Sequence, residues 1–221
     1  MGTDDLFKRK KQSALKNAKR RQELREPYDK VLIVTEGEKT EPLYILALCD
    51  LLGLSQTNVV IDPSSDSSPT SVVGYAKGLI ADNKTDPYDR VFCVIDRDRH
   101  ADFQRAMDLV AGFKSKITKM EAIVSTPCFE YWILLHFTFT TKIFGVSGES
   151  PCQDLIRNEL RNYLPGYTKA DASILSSLVQ GQLGTAIANS QRAYEEASRN
   201  GTDDTLTTMH VLVEYLKNLK S

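Results

Sequence analysis

Two short apolar runs, each ending in acid, constrain the fold of this chain more than any other feature. Val31-Leu32-Ile33-Val34-Thr35 leads into Glu36, and Val91-Phe92-Cys93-Val94-Ile95 leads into Asp96-Arg97-Asp98. Apolar runs without alternation suit strands covered on both faces, the habit of parallel sheets. Open parallel sheets carry their chemistry outside the carboxyl ends of the strands, where these acids fall. Three carboxylates converging there repel one another unless a cation neutralises them. Oxygen-only ligands favour a hard ion, Mg²⁺ or Mn²⁺. The pattern points to metal-assisted chemistry on phosphates.

The rest of the chain supports a wound α/β sheet. Thr40 caps a helix with Pro42 in its first turn, running to about Leu52 with Gly53 as its stop. Val59-Val60-Ile61 reads as a second strand, and the Ser- and Asp-rich stretch from Pro63 to Pro69 as a loop. A second helix is expected from about Ser71 to Ala81 and a third from Phe103 to Phe113, the latter with Phe103, Met107, Val110 and Ala111 on one face. Ala122-Ile123-Val124 forms a fourth strand, followed by a helix capped by Ser125 or Thr126 with Pro127 in its first turn. Beyond Thr138 strand signals vanish. Ser150-Pro151-Cys152-Gln153 opens a helix with a capping box, and further helices span about 184–199 and 205–219, punctuated by Asn200-Gly201. The expected architecture is an α/β fold: a Rossmann-like parallel sheet of about four strands with flanking helices and a helical C-terminal extension. If strands one and three are neighbours, the sheet order reverses between Glu36 and Asp96, and the two acids flank the ligand crevice. The domain reading is a basic arm over 1–27, a core over 28–140 and the extension over 141–221.

The 221 residues can bury one good core, and their net charge of -1 hides an uneven distribution. Lys8, Arg9, Lys10, Lys11, Lys16, Lys19, Arg20, Arg21 and Arg25 crowd the first 27 residues against Asp4, Asp5, Glu23 and Glu26, which leaves the remainder acidic. Such an arm suits the approach to a polyanion; a solvated helix is the alternative. Cys49, Cys93, Cys128 and Cys152 are widely spaced without a C-x-x-C pair, so neither a zinc site nor a disulfide framework is expected. No stretch is long and apolar enough to span a bilayer, and the charged N-terminus lacks the apolar region of a signal peptide, so a cytoplasmic protein is expected.

The strings VLIVTEGEKTEPLY (31–44), VFCVIDRDRH (91–100) and STPCFEYWILLHF (125–137), with weaker echoes at Gly166-Tyr167-Thr168-Lys169 and His210-Val211-Leu212-Val213, resemble the RloB-like family of Toprim-fold proteins. The resemblance implies a Toprim core, Mg²⁺- or Mn²⁺-dependent cleavage of phosphodiester bonds, and kinship with the overcoming-lysogenization-defect nucleases. It also implies an AAA- or ABC-type ATPase partner and a role in abortive infection against phage. By the same resemblance, Glu36 acts in proton transfer or joins the metal shell, while Asp96 and Asp98 hold the metal. A second glutamate follows the first in those nucleases. Here Glu36-Gly37-Glu38-Lys39-Thr40-Glu41 is one residue longer, so Glu41 is the match and Glu38 the competitor. A Ser-x-x-Glu element corresponds to Ser125 or Thr126 with Glu130, and a late lysine to Lys169.

Each residue also has a plainer reading. Glu41 and Glu130 suit first-turn acids complementing a helix dipole. His100 could donate to a phosphate or shuttle a proton, or be an idle loop histidine. Gly37 leaves bare backbone where a phosphate or the next turn can come close. Lys39 meets a phosphate or balances Glu38, and Lys169 neutralises a pentacovalent phosphate or is merely solvated. Arg97 faces away from both aspartates, and His136, on an aromatic face, reads as a packing residue. The leading expectation is a metal-dependent nuclease on DNA or RNA, tRNA included, with the basic arm on nucleic acid and homo-oligomers open. The alternatives are a non-catalytic regulatory or nucleotide-binding module, and a haloacid-dehalogenase-type phosphatase.

Overall fold

The computed structural model describes residues 28–64, 68–146 and 148–220. The basic arm lies outside the described residues. Five strands form one sheet in the order β2-β1-β3-β4-β5. β1 (Val31–Thr35), β2 (Val59–Pro63), β3 (Arg90–Asp96) and β4 (Lys119–Thr126) are parallel, and β5 (Leu206–Thr207) runs antiparallel at the edge. β1 and β3 are neighbours, with Thr35 opposite Val94. The chain winds outward from β1 to β2 in one direction and from β3 to β4 in the other, so a topological switch point opens between Glu36 and Asp96.

Both faces of the sheet are covered. Alternate strand side chains point to opposite faces. Leu32, Val34, Val91, Cys93 and Ile95 pack against α2 (Pro69–Asp82) and α3 (Phe103–Ala111). Val31, Ile33, Phe92 and Val94 face the larger core, built from α1 (Thr40–Leu51), α4 (Glu130–Leu134), the long α7 (Ala172–Asn200) and α8 (Met209–Lys217). Tyr44 is the hub of that side. Its ring meets Phe129 and Trp132 edge-on at 5.7 and 6.0 Å. Such pairs contribute about 1 kcal/mol each beyond their buried area. Tyr44 also donates its hydroxyl to His136 Nε2 (3.0 Å) while His136 Nδ1 donates to the Trp132 carbonyl (3.0 Å). Burial pushes the His136 pKa down to about 4, so this ring is a neutral, satisfied core histidine, as its aromatic face suggests.

The structure departs from the sequence expectations in several places. The fifth strand was not expected; two residues carry no readable period, and β5 is held by pairing Thr207 with Ser125 and Leu206 with Thr126. Ser125 and Thr126 end β4 instead of capping a helix, and the Thr126–Pro127 peptide is cis. The helix after it is short, starts at Glu130 with Phe129 at its N-cap, and has no side-chain cap. Ser150 precedes α5 (Pro151–Leu155) without forming the capping-box hydrogen bond. The chain continues from α5 through a π-helical turn (Ile156–Leu160) into α6 (Arg161–Tyr163). α7 begins twelve residues before the expected start, because Asp171 caps it by accepting from the Ser173 and Ile174 amides. Gly53 and Gly201, both with left-handed backbones, follow α1 and α7 where the sequence placed stops. Contrary to the cysteine reading, Cys128 and Cys152 are joined as a disulfide, while Cys49 and Cys93 are buried free thiols. Among the described residues no helix is long and apolar enough to cross a membrane.

Candidate functional site

Four elements, β1, α1, β3 and α4, deliver five acids to the carboxyl edge of the sheet. β1 ends at Thr35, and Glu36 follows it into the switch-point crevice. Its Oε2 accepts the Asp96 backbone N–H at 3.1 Å, which ties the first acid directly to the end of β3. His100 Nε2 lies 3.1 Å from the other oxygen, Oε1. Asp96 is the last residue of β3. Beyond it the Arg97 and Asp98 amides donate to the Ser125 and Pro127 carbonyls, so β3 and β4 stay coupled past the sheet proper. Asp98 adopts φ 27°, an uncommon backbone for a residue with a Cβ, and its Oδ1 is buried without a hydrogen-bond partner among the described residues. Arg97 turns away, pairing with Asp203 and lying over the Phe103 ring.

Burial separates Glu38 from Glu41. Glu38 and Lys39 are exposed on the turn, whereas Glu41, in the first turn of α1, is buried and close enough to Asp96, Glu130 and Glu36 to repel them. Gly37 explains how it gets there. A Cβ on Gly37 would overlap the Glu41 carboxylate, so the glycine makes room for the second acid. Thr35 Oγ1 donates to the Gly37 carbonyl (2.8 Å) and holds the turn.

Glu130 opens α4 and is only 1% exposed. Lys169 Nζ sits 3.0 Å from its Oε1, and the Tyr167 hydroxyl donates to the same oxygen at 3.4 Å. Both partners come from the loop before α7. That loop is strapped to α1, where the Ala170 amide donates to Thr40 Oγ1 (3.2 Å). Sequence reasoning missed Tyr167, although it lies two residues from Lys169 in the quoted string. It also missed the Cys128–Cys152 pair beside Glu130, for which spacing gave no signal.

The electrostatics describe a strained set of anions. Burial raises the Glu36 pKa, with Asp102 and Asp98 adding to the rise; the Asp96 amide and His100 oppose it. Burial, Glu130 and Glu36 push Glu41 up to about 7 against the pull of its own amide and Lys169. Burial holds Asp96 well above the ordinary carboxylate range, reinforced by Glu41, Glu130 and Glu36. Burial opposes the Lys169 charge, but Glu130, Asp96 and Glu41 outweigh it and raise its pKa. Among the described residues, one ammonium and one imidazole face five carboxyl groups, and the raised proton affinities of Glu36, Glu41 and Asp96 follow from that crowding and burial.

A hard divalent cation fits this donor set. The donors are carboxylate oxygens, one of them buried and unpartnered, and they gather where burial makes uncompensated charge costly. The acids are not drawn into an ion-sized shell. Among the described residues, the trio with ligand atoms within 4.8 Å of one another is Cys128, Glu130 and Cys152.

The fold is an open, mostly parallel α/β sheet with acidic side chains crowded at its switch point. The sequence profile of the RloB-like protein family matches residues 31–216, and the chain belongs to that family. The match takes in every site residue named above. No curated protein matches the chain.

Proposed function

We propose that this protein is a metal-dependent nuclease of the Toprim type that hydrolyses phosphodiester bonds in DNA or RNA. The observation that carries the reading is the convergence of Glu36, Glu41, Asp96 and Glu130 at the switch point, strong enough to hold Asp96 well above its normal pKa. Asp96, Asp98 and Glu36 would hold Mg²⁺ or Mn²⁺, with Glu41 and Glu130 as further ligands. When bound, such an ion supplies Lewis acidity and an activated water.

The chain's own groups do the rest. Glu36 combines a raised proton affinity with a histidine 3.1 Å away, a pair suited to moving a proton at the scissile oxygen. Lys169, anchored on Glu130 yet with its side chain 57% exposed, offers positive charge to a phosphoryl oxygen at the rim. The Tyr167 hydroxyl keeps Glu130 in place behind it. The basic arm would add phosphate contacts, and an ATPase partner would govern access in an antiphage system.

The test is incubation of the full chain with plasmid DNA and total RNA in Mn²⁺ or Mg²⁺, alone and with a candidate AAA- or ABC-type ATPase partner. Cleavage should require the metal and vanish in folded Glu36→Ala and Asp96→Ala variants. Equal cleavage in wild type and both variants would refute the reading. Removing residues 1–25 should weaken binding and flatten its salt dependence; unaltered binding would remove the arm from the account.

A further inference from the structure

Two cysteines with no role in the chemistry meet at the most buried acid. Cys128 lies in the link between β4 and α4, two residues before Glu130, and Cys152 in the first turn of α5. Their Cα atoms are 5.8 Å apart, the separation that disulfides use, and the structure joins them. Cys152 Sγ approaches Glu130 Oε2 at 3.4 Å. The two redox states treat that oxygen differently. A thiol at Cys152 donates S–H to Oε2, whereas a disulfide sulfur has no proton to give. Oxidation therefore leaves Oε2 free, while Oε1 keeps Lys169 and Tyr167.

The bond also fastens a wall of the site. The chain from Thr138 to Ser150 contains no regular element among its described residues, and the disulfide closes it at the α5 end. That stretch touches the loop beyond the aspartates, because Arg99 donates to the Glu149 carbonyl at 2.7 Å. The Gly145 amide donates to Asp154 of α5 (2.7 Å), and Arg157 pairs with Glu149. One covalent link thus holds the neighbour of Glu130 and the segment that braces the loop after Asp98. Cys49 and Cys93 serve as internal controls: burial pushes both thiols up to about 12, and neither joins the pair.

We propose that Cys128 and Cys152 form a reversible disulfide whose oxidised state braces the candidate site and frees Glu130 Oε2 for ligation. This rests on the nuclease reading for its effect on activity, but not for the bond itself. Oxidation by a peroxide balances as two thiols and one hydrogen peroxide giving one disulfide and two waters. A low-molecular-weight dithiol reverses it by exchange, becoming a cyclic disulfide as the two cysteines regain their protons.

The full chain is treated with hydrogen peroxide or with dithiothreitol, denatured, alkylated and weighed. The peroxide sample should carry two alkyl groups and yield a tryptic peptide linking Cys128 to Cys152; the reduced sample should carry four. Four groups in both samples, a link involving Cys49 or Cys93, or release of thiolate-bound zinc would overturn the proposal. In the native state, reduction should speed tryptic cleavage after Lys142 about tenfold, and Cys152→Ser should be cut fast under both conditions. Equal rates in the oxidised and reduced wild type would overturn the brace. Metal-dependent cleavage should fall about tenfold on reduction and be insensitive to redox state in Cys152→Ser. Equal activity in both redox states refutes the control of the site. Absence of cleavage in both states counts against the nuclease reading, and the alkylation and proteolysis results then decide the disulfide separately.

Discussion

The two edges of the same sheet handle buried charge in opposite ways. At the amino edge, Lys30 precedes β1 and is buried, with its Nζ donating to the Asp86 carboxylate and, at 2.8 Å, to the Asp86 carbonyl. Its ammonium lies 4.7 Å from the centre of the Tyr88 ring, and its amide donates to Asp89 Oδ2 at 2.7 Å. Charge there is matched group for group. At the carboxyl edge, Glu36, Glu41, Asp96, Asp98 and Glu130 face only Lys169 and His100 among the described residues, which also leave the buried Asp98 Oδ1 without a partner. A matched buried pair fixes architecture. An unmatched excess of acids holds its protons more tightly, as Glu41 and Asp96 do, and it is there that an added cation would displace them.

Substitutions at the two edges should therefore move different observables. The largest effect is expected for Asp96→Asn, which should lower metal-dependent cleavage about 10³-fold while leaving thermal stability equal or higher, since repulsion is relieved. Gel cleavage assays beside calorimetry check both halves; a loss of fold would undo the contrast. Lys30→Met should do the reverse. Leaving Asp86 without its lysine costs about 3–4 kcal/mol of stability by denaturant titration, with cleavage per folded molecule unchanged.

A third prediction concerns pH. His136 has a folded pKa near 4 against an ordinary 6.5, so the unfolded chain binds its proton first as pH falls. The stability tied to its neutral ring is whole above 6.5 and drains toward 4, amounting to about 2 kcal/mol between pH 6.5 and 5. His136→Phe should flatten that part of the stability profile, measured by denaturant titration across the range; an unchanged slope contradicts the assignment. The smallest effect is expected for Gly37→Ala. The added methyl displaces the Glu41 carboxylate and should reduce cleavage about tenfold with little loss of stability. Full activity there would mean that Glu41 is not needed where it lies.

The comparison also shows which parts of the molecule the sequence made legible. Strand ends were readable because β1 and β3 are apolar almost throughout and then turn acidic, so the placing of Glu36 just beyond β1 and of Asp96 at the end of β3 followed. Arg97 followed from simple alternation. β5 was not readable, since Leu206 and Thr207 gain strand character only by pairing with β4. The start of α7 was hidden by Ser173, Ser176, Ser177 and Gly181, which dilute the helical period that Asp171 nonetheless initiates. Glu130 was ambiguous because all five residues of α4 are buried, and periodicity cannot orient a helix with no wet face. The Cys128–Cys152 contact bridges 24 residues of mostly irregular chain, a distance over which spacing says nothing.

The most direct test of the unbalanced edge is calorimetric titration of the folded chain with Mn²⁺ at neutral pH. Wild type should bind the ion with release of protons from the acids whose pKa values are raised, and folded Asp96→Asn should bind it at least about tenfold more weakly. No Mn²⁺ binding by the folded wild type, or equal binding by Asp96→Asn, would contradict the claim that the carboxyl edge is built to hold a cation.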